Sequence, residues 1–157
     1  MLNILKIYEL RRQAFIPAQI GDVFSFFSDA ENLEGITPPW LNFRILTPHP
    51  IRMEKHALID YSINLMGVPL TWKTEITTWK PPECFIDRQI KGPFRVWEHT
   101  HQFAELEGGT RMTDIVRYAV PGFVLSPLVH FFFVRPRLEK IFSFREKSIL
   151  DRFGKPG

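Results

Sequence analysis

The chain has 157 residues, of which 45% are hydrophobic and 24% charged, and a net charge of +3. That length fits one domain, 1–157, with a single sizeable core, and the balance is that of an ordinary globular protein rather than a disordered or bilayer-spanning one. A lone cysteine, Cys84, excludes an internal disulfide and a thiol-based zinc site and suits a reducing cytoplasm; the weak basic excess lacks the like-charge blocks of a nucleic-acid binder.

In chain order, Ile4 to Ile16 mixes apolar and charged residues without helical spacing and stops at Pro17, which predicts a first strand. Lys6 and Glu9 interrupt the apolar run of the first ten residues, and no cleavage site follows, so no signal peptide is expected there. Ala18 to Ser28 sets Ile20, Val23, Phe24 and Phe27 at helical intervals. Ala30 to Ile36 reads as a second short helix, closed by Gly35 and by Thr37-Pro38-Pro39.

From there the period falls to two. Leu41, Phe43 and Ile45 predict one strand, and Ile59, Tyr61, Ile63 and Leu65 the next, ending at Gly67 and Pro69. Trp72, Thr74 and Ile76 follow, then Phe85, Asp87 and Gln89. A turn at Lys91-Gly92-Pro93 leads to Trp97, His99, His101 and Phe103, and Gly108-Gly109 leads to Met112, Asp114, Val116 and Tyr118. The apolar tract Ala119 to Val134 is too short and too interrupted to span a bilayer. Ser126 to Phe153 is the final helix, capped by Ser126-Pro127 and stopped by Gly154 and Pro156. Phe131, Val134, Leu138, Ile141, Phe142, Arg145 and Ile149 form its apolar stripe. Pro136 predicts a kink or break between His130 and Pro136, which would leave Phe131 to Phe133 as a movable lid. The order is β-α-α-β6-α, an α+β fold with its helices on one side of an antiparallel sheet.

The chemistry gathers on the last strands. A two-residue loop at Gly108-Gly109 sets Phe103 opposite Asp114 and His101 opposite Val116; moved one residue back, it sets His101 opposite Asp114. Either register puts Trp97, His99, His101, Phe103, Asp114 and Tyr118 on one face, with Asp87 and Gln89 beside them. The opposite face carries Arg88, Glu98, Gln102, Arg111 and Arg117, so the histidine face turns inward, toward Arg145. A cation in mid-stripe needs a carboxylate, and Asp87 or Asp114 is the expected partner. Three readings of this face stay open: a metal site, a His–Asp acid–base pair, and a polar network lining a ligand pocket. No glycine-rich phosphate loop, paired-cysteine motif or serine elbow is present, and the sequence calls for no metal or cofactor.

Asn32-Leu33, Ile36-Thr37-Pro38-Pro39, Asp60-Tyr61, Phe85, Asp87, Gln89 and Gly92-Pro93-Phe94 together follow a known pattern. It continues through Trp97, His99, His101, Phe103, Gly109-Thr110, Asp114, Tyr118, Pro121 and the Ile141-Phe142…Arg145 end. The chain thereby resembles the START/SRPBCC superfamily, and most of all its bacterial stand-alone members of unassigned function. It departs from them at Lys55-His56, where a glycine is usual. The resemblance implies a helix-grip fold, a curved seven-stranded antiparallel sheet around a long C-terminal helix. It also implies a cavity for a small hydrophobic or lipid-like ligand. The expected lining is Tyr61, Trp72, Asp87, Gln89, Trp97, His99, His101, Phe103, Asp114, Tyr118, Phe142 and Arg145. The alternatives are a cyclase, dehydratase or hydrolase using His99 or His101 with Asp114, and an interaction module with a vestigial cavity. The expected partner is a small hydrophobic ligand, with no nucleic acid and at most a transient membrane-surface contact, in the cytoplasm.

Overall fold

The computed structural model describes residues 5–122 and 125–154. Strand β1 (Tyr8–Ile16) is followed by helices α1 (Ile20–Phe27) and α2 (Asn32–Gly35). Strands β2 (Arg44–Ile45), β3 (Leu58–Leu65), β4 (Val68–Lys80), β5 (Cys84–Lys91), β6 (Val96–Leu106) and β7 (Gly109–Ala119) come next. They form one seven-stranded sheet in the order β1-β7-β6-β5-β4-β3-β2, with every adjacent pair antiparallel. Register shifts after Lys73 and after Ile76 mark irregularities of the β-bulge kind between β4 and β5. The α+β helix-grip arrangement expected from the sequence is the one observed.

Two expectations need correcting. Leu41 and Phe43 do not extend β2: a 3-10 turn at Pro39–Leu41, set by the proline pair, and a left-handed Asn42 (φ 44°) bring Phe43 around the end of the strand. Pro69 does not end a strand but lies in β4, opposite Asn64, after a tight turn in which Met66 (φ 52°) and Gly67 (φ 78°) are both left-handed.

The C-terminal stretch is interrupted where Pro136 predicts. Helix α3 (Ser126–Val129) passes into a π-helical segment, His130–Val134, before the regular helix α4 (Arg135–Phe153) begins with Pro136 in its first turn. The wider turn changes the phase of the helix. Phe131, expected in the buried stripe, is therefore turned out to solvent, while Leu138, Phe142 and Ile149 are buried as expected. Pro156, expected to help close the helix, lies outside the described residues.

The core divides in two. Under α1, Phe24 and Phe27 pack on Phe103, Ile16 and Met112, with Phe24 also against Phe85, and Ile149 of α4 joins them. Under the start of α4, Val116, Tyr118 and Val120 pack on Leu138 and Phe142. Arg12 of β1 straps α4 to the sheet edge: its Nη2 donates to Glu139 Oε2 (2.6 Å) and to Ser143 Oγ (3.2 Å). No helix among the described residues is long and apolar enough to cross a membrane.

Candidate functional site

The β6–β7 hairpin takes the second of the two expected registers, with Leu106 opposite Gly109 and His101 opposite Asp114. Two features, one in the turn and one across the sheet, hold it there. Gly108 supplies the left-handed turn residue (φ 78°), and Gly109 packs so closely on the Ile16 carbonyl that a side chain there would collide with it. On the other side, β5 sets Asp87 opposite His99. Two aspartates and two histidines from three adjacent strands therefore meet on the concave face.

Their contacts form a closed knot. His99 Nε2 donates to Asp114 Oδ1 at 2.8 Å, and His101 Nε2 donates to Asp87 Oδ2 at 2.7 Å. Across the diagonals, His101 Nδ1 lies 3.3 Å from Asp114 Oδ1 and His99 Nδ1 lies 3.9 Å from Asp87 Oδ2. The imidazole rings lie 3.7 Å apart, and His101 also stacks on Phe85 at 4.1 Å. Burial pushes both carboxyls up, but the hydrogen bonds and charges of the histidines outweigh it and hold Asp87 and Asp114 below their ordinary values. The two histidines part company. Burial and the neighbouring His101 charge lower His99, whereas for His101 burial is outweighed by the hydrogen bond to Asp87 and the adjacent Asp114 carboxylate, which raise it.

Asp87, His99 and His101 present ligand-type atoms within 4.8 Å of one another. Two imidazoles on one tetrahedral ion hold their ring centres roughly 5 Å apart, given metal–nitrogen bonds of about 2.0–2.1 Å. Rings tilted against each other at 3.7 Å fit carboxylate bridging better.

Arg145 does not bond Asp87 or Asp114, contrary to expectation. Each aspartate is already engaged by histidines of neighbouring strands. The guanidinium makes no hydrogen bond or ion pair among the described residues, and its Nε is buried without a partner. It does not snorkel to solvent either: it lies beside Phe142, 5.2 Å from the ring centre, and faces the interior. Its charge acts at longer range, lowering Asp87 and offsetting part of the burial of Tyr61.

That interior is a cavity of about 460 Å³ between the sheet and α4. Tyr61, Trp72, Trp97, His99, Phe142 and Arg145, expected to border one space, all line it. A smaller chamber of about 120 Å³ lies beside it, walled by Asp87, His101 and Thr74. Tyr61, Trp97, His99 and Arg145 belong to both walls. The large chamber is almost wholly apolar, whereas the small one sets Asp87, His101 and Thr74 into an otherwise largely apolar wall. Burial raises the Tyr61 phenol well above its ordinary value, and the Asp87 charge adds to this, so the phenol stays a hydrogen-bond donor.

Four expected lining residues serve elsewhere. Asp114 stands behind the two imidazoles and orients them. Gln89 braces the β5–β6 turn, its Nε2 donating to the Phe94 carbonyl (2.7 Å) while its Oε1 accepts from the Phe94 amide (3.3 Å). Phe103 belongs to the core under α1. The Tyr118 hydroxyl hydrogen-bonds His130 Nε2 (2.8 Å), and burial raises its phenol to about 12; Tyr8 stacks on His130 at 3.5 Å. Together they pin the π-helical segment to the sheet. Sequence reasoning missed Phe43, Phe94 and Val129 as lining, while Phe133, expected in a lid at the cavity mouth, is on its wall. Phe94 was legible from its place just after Gly92-Pro93; Phe43 and Phe133 depend on the 3-10 turn and the π segment.

A family model described as "Polyketide cyclase / dehydrase and lipid transport" matches residues 16–141. No curated protein matches the chain. Among solved structures, CV1439 from Chromobacterium violaceum superposes with a TM-score of 0.72 at 12% identity, over 95% of this chain and 99% of that one. Norcoclaurine synthase of Thalictrum flavum, solved as a point mutant with a transition-state analogue, gives 0.66 at 14%, over 94% and 97%. The di-domain aromatase/cyclase StfQ of the steffimycin biosynthetic pathway gives 0.66 at 14%, over 94% of this chain and 51% of that one. At these identities the likeness establishes a shared fold.

Proposed function

The chain belongs to the polyketide cyclase / dehydrase and lipid transport family, and from that premise we propose that it is a binding protein for a small hydrophobic ligand carrying one hydrogen-bond-accepting group. The observation that carries this reading is the cavity of about 460 Å³ whose apolar wall is broken chiefly by one unpaired guanidinium, Arg145. An apolar chamber of that size suits a ligand of drug-like dimensions. A buried donor without a partner is costly until an acceptor fills its place. A carbonyl, ether or carboxylate oxygen at the Arg145 end, with the apolar body between Trp72, Phe94, Leu138 and Ile141, satisfies both conditions.

The histidine–aspartate knot supports binding more than turnover, because the Nε2 atom of each imidazole is committed to a carboxylate. One observation favours a second reading. His99 donates Nε2 to Asp114, which leaves its Nδ1 bare in the neutral ring, on the wall of both chambers. That is the arrangement of an oriented general base, as a cyclase or dehydratase needs.

Native mass spectrometry of protein purified from its own cells, followed by titration of the delipidated protein with an apolar fluorescent probe, tests the proposal. The expected result is a co-purifying apolar ligand and saturable probe binding that competes with it. Absence of both a ligand and saturable binding would overturn the reading.

A further inference from the structure

The unusual surface of this protein lies at the cavity mouth. Leu125, Leu128, Phe131, Phe132 and Phe133 fall within nine residues of chain, and all five are exposed, Phe131 and Phe132 to 63% and 62%. Phe131 and Phe132 pack edge to face on each other (5.1 Å), with neither ring covered by the sheet. Across the opening the β3–β4 turn offers Met66, exposed to 66%, and Val68. Met66 and Phe133 both line the large cavity, so two apolar projections flank one entrance. Single exposed apolar residues need no explanation; a run of five large ones does.

The charge around this patch has one sign. No acidic residue occurs from 115 to 138, while Arg135, Arg137 and Lys140 are exposed beside the phenylalanines. The first acid beyond it, Glu139, is taken by Arg12. Arg137 Nη1 donates to the Phe133 carbonyl (2.9 Å) and its guanidinium lies 5.8 Å from the Phe133 ring centre, so charge and aromatic edge are held together. Aromatic and leucine side chains on one side with arginines at the rim are the composition of a segment that lies in a lipid headgroup layer. A second copy of this chain would bring another cationic rim against this one and is disfavoured by that repulsion.

We propose that the segment from Leu125 to Arg137, with the Met66 turn, docks on an anionic membrane surface and sets the cavity mouth against the lipid. The apolar residues enter the acyl boundary, and the arginines meet the anionic headgroups. This goes beyond ligand binding as such and gives the apolar ligand a path that avoids water.

Vesicle flotation of the intact protein tests it, with phosphatidylcholine vesicles and with mixed phosphatidylcholine–phosphatidylglycerol vesicles. Binding is expected to the mixed vesicles, weakened by salt and much weaker on phosphatidylcholine alone. Arg135→Gln with Arg137→Gln should lower affinity on the order of tenfold or more, since each basic residue near such a surface is worth about fivefold. Phe131→Ser with Phe132→Ser should lower it at least as far. These two rings lie off the cavity wall and make no core contact, so folding and binding of a soluble apolar probe should be unchanged. Loss of probe binding in that variant would instead mark the patch as part of the ligand site and overturn the docking role. Equal flotation of wild type and both variants would overturn it too, as would a wild-type dimer that the phenylalanine variant dissolves without any vesicle binding.

Discussion

Replacing Asp114 by Asn tests whether the buried knot is held by charge. The substitution keeps volume and removes a carboxylate that accepts from His99 at 2.8 Å and lies 3.3 Å from His101 Nδ1. Breaking a buried ion pair by removing one partner costs about 3–5 kcal/mol. His101 keeps its bond to Asp87 (2.7 Å), so about 3 kcal/mol is expected. In urea that is a fall in midpoint of about 1–3 M at unchanged slope, for a slope of about 1–3 kcal/mol/M. The pH dependence has a definite sign. Asp114 is held below its ordinary 3.8, so it contributes stability above that value and loses it as pH falls toward the folded pKa. His101 is held above its ordinary 6.5, so its contribution is complete below 6.5 and is lost as pH rises through the folded pKa. Asp114→Asn should flatten the acid limb of the stability curve and move the His101 titration, followed by NMR, to lower pH. A loss below about 1 kcal/mol with His101 unmoved would refute the view that Asp114 is the counter-charge of the knot.

Arg145→Met should change stability by less than about 1 kcal/mol, because no hydrogen bond or ion pair is lost. The same change should weaken binding of a probe with a carbonyl or carboxylate head about tenfold or more, on the ~1.5–3 kcal/mol of a charge-assisted bond. A large loss of stability with unchanged probe affinity would reverse the role assigned to this residue. Trp72→Ala removes a buried ring that packs on Tyr61 and Trp97; thermal denaturation should report about 3–5 kcal/mol of destabilisation, and a bulkier probe should then bind. Tyr118→Phe leaves His130 Nε2 without its hydrogen-bond partner, at about 1–3 kcal/mol, and amide exchange should rise first in His130–Val134 if this contact is what pins the π segment.

The sheet was legible because alternation decides which residues share a face: Asp87, His99, His101 and Asp114 could be grouped before any register was known. The register itself turned on one residue of loop. It was settled by Gly109 against the Ile16 carbonyl, a contact between strands far apart in sequence that no local pattern encodes. Arg145 was placed correctly at the cavity, yet its partner was misread, because the aspartates pair within the sheet before the helix can compete for them. Phe131 was misplaced for a different reason: helical spacing assumes one repeat throughout, and the π segment changes the phase upstream of Pro136. Gln89 alternates with Asp87 but reaches sideways to the Phe94 backbone, which period alone does not reveal.

The separation in sequence of the contacts around the cavity has a consequence for how it forms. The bonds of the polar knot join residues 15 and 14 positions apart, inside two successive hairpins, whereas the strap from Arg12 to Glu139 spans 127. Closing short loops costs less chain entropy than closing long ones, so the hairpins of β5, β6 and β7 are the natural nucleus of folding and α4 docks late. The chemistry of the cavity is thus assembled on an open platform, and the helix that completes the enclosure arrives after the floor is set. Mutations in the knot should slow folding, and mutations in the strap should speed unfolding.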